Sequence, residues 1–337
     1  MKNLMKTTLS AAVLLTLPVL SFAEGKSIYG PDSRLDFFES SAGMQTLSQS
    51  VVSLWKSADV AADASGFKLS TEKFADAYGL CPAEKFREQP IGAFCSGSLV
   101  GEDMIMTAGH CIKTEADCKN TKLVFGFNVG KAGAEATTKV GKDDVYTCAS
   151  IVKRFLGGEP GSTNPAGQSL GPDYALIKLD RKVTGRKPLP VNRKPALAKG
   201  TKIFVIGHPV GLPLKVAGDS TVRDAGKIGY FVADLDTFGG NSGSPVFNTV
   251  TNKIEGILVR GDTDFLRSPA GCVTMATYEQ TGGRGEDVTK IDALSAFIPK
   301  LPGEKETPMF MDLEIRDMQY ITPIDNTYVA PANIRFQ

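Results

Sequence analysis

Gly239-Gly240-Asn241-Ser242-Gly243-Ser244-Pro245 sets a serine among glycines, just before an apolar pair, Val246-Phe247. Glycine opens backbone dihedrals that other residues avoid, so successive N–H groups here can converge on one concavity in front of the Ser242 hydroxyl. Ser242 is therefore a candidate nucleophile, and the amides of Gly240 and Ser242 a candidate oxyanion hole. A single donor of that kind contributes about 3–4 kcal/mol to a developing oxyanion. Taken alone, the same residues also suit a Gly/Ser/Asn hairpin turn.

A serine hydroxyl needs a base, and the chain has only two histidines. His110 ends the run Met104-Ile105-Met106-Thr107-Ala108-Gly109-His110-Cys111, where a buried strand passes through small residues that let a turn pack tightly. Imidazole titrates near neutrality and can take a hydroxyl proton and return it to a leaving amine. The acid that would orient it is expected to be Asp173, which follows Gly171-Pro172 and opens the apolar strand Tyr174-Ala175-Leu176-Ile177-Lys178-Leu179. Asp180, at the far end of that strand, is the rival carboxylate and reads as a solvated terminus.

The chain opens with Lys2 and Lys6 before an apolar run that closes on Ser21-Phe22-Ala23. This is the pattern of a signal peptide over residues 1–23, and Pro18 helps keep the run short of the roughly 20 residues a membrane span needs. A secreted or periplasmic chain starting near Glu24 is expected, with no membrane association after signal removal. Without that segment, 36 basic residues face 37 acidic ones, a net charge of −1. No basic face is clustered enough to make nucleic acid the partner. Six cysteines, Cys81, Cys95, Cys111, Cys118, Cys148 and Cys272, favour disulfides in an exported chain. With no C-x-x-C pair and so few histidines, no metal site is expected.

From about residue 94 to 262 the chain reads as short strands broken by Gly, Pro, Asn and Asp, at 98–100, 104–107, 123–129, 174–179, 202–207, 228–233, 245–247 and 254–259. Such spacing predicts an all-β antiparallel sandwich or barrel. Helices are expected at 43–56, in parts of 71–78, and at 288–297. Residues 157–172, with five Gly and three Pro, read as a long surface loop. Residues 24–90 are left as an N-terminal extension, a propeptide or first strands. Residues 91–300 form the main domain, and 301–337 a tail with one strand at 310–315.

Thr107-Ala108-Gly109-His110-Cys111, Asp173-Tyr174-Ala175-Leu176-Ile177 and Gly240-Asn241-Ser242-Gly243-Ser244-Pro245-Val246, in that order, resemble the chymotrypsin-like serine peptidases over roughly residues 91–262. The last segment is most similar to the bacterial branch that contains the staphylococcal glutamyl endopeptidase. Tyr29-Gly30-Pro31-Asp32-Ser33-Arg34 and Gly207-His208-Pro209-Val210-Gly211-Leu212-Pro213 add to that likeness. The resemblance implies two packed six-stranded antiparallel β-barrels with short helices and the site between them. It further implies a triad of His110, Asp173 and Ser242, a Cys95–Cys111 disulfide beside the histidine, a structural role for His208, no cofactor, and protein or peptide substrates. A monomer is expected. Pairing of the other four cysteines stays open, Cys118–Cys148 with Cys81–Cys272 being one arrangement.

Many animal members of that family carry an aspartate just before the nucleophile, which binds a newly released N-terminal ammonium. Asn241 stands there in this chain, so activation by such an ion pair is not expected. Asp236, six residues before Ser242, occupies the position whose carboxylate pairs with substrate Arg or Lys in trypsin-like members, and cleavage after Arg or Lys is the expectation. Phe238, where many members have a cysteine, leaves the path of that loop open. Thr237 suits the alternative, a glutamyl specificity. Gly256-Ile257-Leu258-Val259-Arg260-Gly261 lacks the histidine that glutamyl members use, leaving Arg260 either to replace it or to neutralise Asp236, Asp262 or Asp264. Besides the serine endopeptidase, a non-catalytic protease-like binding protein and a chaperone-protease are the competing readings.

Overall fold

A computed structural model describes residues 27–157, 170–194 and 197–304. The signal segment at 1–23, the strand expected at 310–315 and most of the loop at 157–172 lie outside those residues. Six antiparallel strands close a first barrel: β1 (Val51–Lys56), β2 (Cys95–Gly101), β3 (Met104–Thr107), β4 (Thr121–Phe125), β5 (Val145–Leu156) and β6 (Asp173–Leu179), in the order β4-β5-β6-β3-β2-β1 with β1 returning to β4. Six more close a second: β7 (Lys202–Gly207), β8 (Lys215–Asp224), β9 (Tyr230–Ala233), β10 (Pro245–Asn248), β11 (Ile254–Arg260) and β12 (Glu286–Lys290), in the order β7-β10-β11-β12-β9-β8 with β8 pairing back to β7.

Strand side chains alternate between two faces, and here both faces of several strands are buried. On β6, Ala175 and Ile177 fill the first barrel while Tyr174 and Leu176 join the core between the barrels. On β7, Ile203 and Val205 fill the second barrel, and Phe204 and Ile206 meet the first across that shared core. Unbroken apolar runs such as Ala175-Leu176-Ile177 are what a doubly buried strand requires.

Two helix expectations are corrected. Within 43–56 only α1 (Ala42–Ser48) is helical, capped by the Ser41 side chain, and Val51–Lys56 is β1. β-branched and aromatic residues there pair with both Cys95–Ser98 and Thr121–Phe125, and this two-sided pairing outweighs the helix-like spacing of Leu47, Val51, Leu54 and Trp55. Residues 288–297 are not a helix either: Glu286–Lys290 is β12, followed by single 3-10 turns at Ile291–Ala293 and Ser295–Phe297. In the expected 71–78 region, α2 spans Phe74–Tyr78. A further short helix, α3 (Glu115–Lys119), starts with a capping box between Thr114 and Asp117. The strand expected at 123–129 stops at Phe125.

Residues 27–90 are woven into the fold. Arg34–Asp36 pairs with Lys215–Ala217 of β8, Ile28–Tyr29 runs parallel to Thr277–Tyr278, and β1 completes the first barrel. Three disulfides join Cys81 to Cys272, Cys95 to Cys111 and Cys118 to Cys148.

His208, at the end of β7, is buried against the Phe127 ring. Its amide donates to Ser96 Oγ at 2.9 Å, and its Nδ1–H donates to the Leu212 carbonyl at 3.0 Å. Burial lowers its pKa from 6.5 to about 3. The unfolded chain therefore binds a proton that the folded one refuses, and the stability this group contributes is lost as pH falls from 6.5 toward 3. Denaturant unfolding at pH 7 and pH 5 should show about 2 kcal/mol lost through His208, and H208Q should flatten that part of the slope. Equal slopes in the two proteins would contradict the assignment.

Candidate active site

β6 begins at Asp173, and β3 ends two residues before Gly109. The pairing of Ala175 with Thr107 sets the two ends side by side. Asp173 Oδ1 accepts from the amides of Gly109 at 2.6 Å and His110 at 3.1 Å, while Oδ2 lies 2.7 Å from His110 Nδ1. A carboxylate only accepts, so Nδ1 carries the hydrogen, and in the neutral ring Nε2 is left as the acceptor. Position 109 must be glycine, because a Cβ there would fall 2.8 Å from the Tyr174 carbonyl and 3.0 Å from Asp173 Oδ1. Arg154 Nε holds the Gly109 carbonyl at 2.7 Å.

The second barrel holds the same aspartate by its backbone. Thr289 Oγ1 on β12 accepts from the Asp173 amide and donates to its carbonyl, both at 2.9 Å. Asp180 lies at the opposite end of β6 with Arg181 and the Thr147 amide.

Ser242 is tied to the first barrel through Ser96 on β2. The Ser96 amide donates to the Ser242 carbonyl at 2.8 Å, and its hydroxyl donates to the Gly240 carbonyl at 3.0 Å. Its neighbour Cys95 is bonded to Cys111, next to His110. Gly243 touches the same place: a Cβ at its φ of 92° would fall 2.0 Å from the Ser96 carbonyl and 3.1 Å from the Ala108 amide. The loop of the serine and the loop of the histidine are thus packed against each other. Ser242 Oγ itself lies 3.5 Å from the Val259 carbonyl on β11.

The Gly239 carbonyl is held by the Val210 amide at 2.5 Å. Carbonyl and N–H point in opposite directions across a trans peptide, so the Gly240 N–H faces away from Val210. Asn241 is buried, and its Oδ1 accepts from Ser244 Oγ at 3.1 Å.

The specificity residues read from the sequence fare differently. Asp236 does not face the cleft, and that expectation is corrected. Its Oδ1 accepts from the Tyr29 amide at 2.8 Å, and its Oδ2 accepts from the Ser33 amide at 2.8 Å and the Ser33 hydroxyl at 2.6 Å. Burial pushes its carboxyl above the ordinary range, and those hydrogen bonds pull the other way. It borders a cavity of about 220 Å³ with Tyr29, Ser33, Gly218 and Asp234, which none of His110, Asp173 and Ser242 lines. Arg260 is likewise committed, to Asp287 Oδ2 at 3.1 Å and the Gly171 carbonyl at 2.9 Å, rather than to Asp236, Asp262 or Asp264. Gly261, just past the end of β11, has its carbonyl held by Arg284 at 2.9 Å.

Thr237 Oγ1 donates to Glu286 Oε2 at 2.8 Å. Glu286, on β12, is fully buried and also accepts from the Ser27 amide at 3.3 Å and the Tyr29 hydroxyl at 3.2 Å. Burial and the adjacent Glu286 push the Tyr29 hydroxyl up, which keeps it a donor. Glu286 and the tethers Ser96 and Thr289 were missed in the sequence. The only signal for Glu286 was the charged run Arg284-Gly285-Glu286-Asp287. His110 also lies within 4.8 Å of the sulfurs of Cys95 and Cys111, but both are spent in a disulfide and offer no thiolate to a metal.

Comparison with known proteins gives several likenesses. A curated relative, "Secreted RxLR effector protein 73" of Plasmopara viticola, is 26% identical over 174 residues, covering 48% of this chain and 40% of that protein. The "Glutamyl endopeptidase" of Bacillus licheniformis is 24% identical over 169 residues, covering 47% and 46%. The chain thus spans under half the length of these two relatives. Among solved structures, the Vibrio cholerae VesB protease is similar at 15% identity and a TM-score of 0.46, covering 79% of this chain and 66% of that one. A Glu endopeptidase solved in complex with MPD is similar at 16% identity and a TM-score of 0.43, covering 80% and 96%. The model of the trypsin-like peptidase domain matches residues 95–257, the segment of the chain that carries His110, Asp173 and Ser242.

Proposed function

We propose that the protein is an exported serine endopeptidase that cleaves peptide bonds through an acyl-enzyme on Ser242. The observation that carries this reading is the convergence of both carboxylate oxygens of Asp173 on the His110 loop, with the Ser242 loop packed against it. With Nδ1–H held by Asp173, His110 Nε2 takes the Ser242 hydroxyl proton as Oγ attacks the peptide carbonyl. The N–H groups of Gly240 and Ser242 receive the negative oxygen of the tetrahedral intermediate. As the C–N bond breaks, His110 gives its proton to the leaving amine. Water then repeats the sequence on the ester and restores the Ser242 hydroxyl.

Cleavage after Arg or Lys remains the favoured specificity, with Glu286 in place of Asp236. On this reading the acid behind the pocket is Glu286, which accepts from the hydroxyl of Thr237 on the loop just before Ser242. That buried acid attracts a cation and repels a glutamate, which argues against the glutamyl alternative despite the Bacillus relative. Residues 1–23 as a removed signal, and the three disulfides, support export.

A fluorophosphonate should label Ser242 in protein lacking residues 1–23, and S242A should remain unlabelled. No labelling of the folded protein would refute the catalytic reading. D173N should cut turnover by about 10⁴, the magnitude known for the equivalent change in a chymotrypsin-family enzyme, and an undiminished rate would mean that another carboxylate serves His110. In a peptide library the protein should prefer Arg or Lys before the cut bond, and E286Q should erase that preference. Preference for Glu would overturn the specificity assignment.

A further inference from the structure

The oxyanion loop must be held in one conformation, and Asn241 has no charge with which to do so. Upstream of Gly240, the residues are clamped one after another by an N-terminal segment more than 200 positions away in sequence. Asp236 receives three hydrogen bonds from Tyr29 and Ser33. The Thr237 amide donates to the Ser27 carbonyl at 3.2 Å, and Ser27 Oγ donates to the Thr263 carbonyl at 2.9 Å. The Phe238 ring lies under the buried Arg34 guanidinium at 4.5 Å, and Arg34 is itself fixed by Asp32 at 2.7 and 2.9 Å. The Gly239 amide donates to Asp264 at 3.0 Å. Four consecutive residues before the Gly240 amide are thereby immobilised, three of them by residues 27–34. That segment is anchored on both sides, at Ile28–Tyr29 against Thr277–Tyr278 and at Arg34–Asp36 against β8.

We propose that residues 27–34 are a built-in brace that holds the oxyanion loop in its working shape, with Asp236 as the positioning residue that receives it. The brace does for this chain what an ammonium–aspartate pair would do beside the nucleophile, but acts four residues upstream of the Gly240 amide, through the backbone and side chains of residues 27–34. It explains why a buried carboxylate sits at position 236 while pointing away from the cleft. The inference rests on the catalytic reading above for its consequence, the placement of Gly240 N–H, but not for the loop order itself.

The test uses S33A and D236N in the full folded protein, with S33T as the conservative rescue. S33A removes one hydroxyl and is the milder change should D236N fold poorly. Hydrogen exchange at the amides of residues 237–243 should quicken in S33A and D236N and return toward wild type in S33T. On peptides with different residues before the cut bond, kcat should fall about 10- to 100-fold, with KM and the ranking of peptides unchanged. Exchange identical to wild type in both variants would overturn the brace. So would a loss confined to Arg and Lys peptides and expressed in KM, since Asp236 would then be a specificity group. If the wild type hydrolyses nothing, the exchange data still decide the brace, and it is the catalytic reading that falls.

Discussion

The Asp173 carboxylate is 1% exposed, and an acid so removed from water is tolerated only when donors converge on it. Three do: two successive backbone amides and an imidazole. They all belong to one short turn, so satisfying the acid fixes the path of the backbone at Gly109, the tautomer of His110 and the direction of its ring. The acid's own backbone is held by Thr289 from the other barrel. One buried charge therefore links the end of β3, the start of β6 and β12.

The two barrels meet through a shared apolar core in which Met106, Tyr174 and Leu176 face Ile206, Phe247 and Ile257. This contact is non-directional and brings the halves together without specifying where one loop lies on the other. Direction comes from polar staples at its edge. Ser96 uses its amide, its hydroxyl proton and its hydroxyl oxygen on three partners in the second half, Ser242, Gly240 and His208. Gly243 allows backbone-to-backbone approach at the same point. Removing a Ser96 hydroxyl would cost the site its alignment more than it would cost the core its packing.

Those residues were legible in the sequence whose role is local. Thr107-Ala108-Gly109-His110 and Gly240-Asn241-Ser242-Gly243 advertise themselves because close backbone approach demands small residues in a row, and Tyr174–Leu179 because a doubly buried strand is continuously apolar. What escaped depends on partners far along the chain. Val51–Lys56 carries apolar residues that fit a helix face as well as a strand, and only its pairing on both sides decides the matter. Glu286 and Asp287 stand just before the helix expected at 288–297, yet both acids are buried, one against Thr237 and Tyr29 and the other against Arg260 and Arg284. Asp236 failed for the same reason. Its position relative to Ser242 is correct for a pocket acid, but Ser33 and Tyr29 turn it the other way.

Acylation of Ser242, with His110 as its base and Asp173 behind it, is the step on which the proposed function rests. It is tested most directly by mixing the protein with an arginine ester, quenching in acid within the first turnover, and mapping the acyl group by mass spectrometry. One acyl group per chain is expected, on Ser242, and none when His110 is replaced by alanine. An acyl group on another residue, or its undiminished formation without His110, would contradict it.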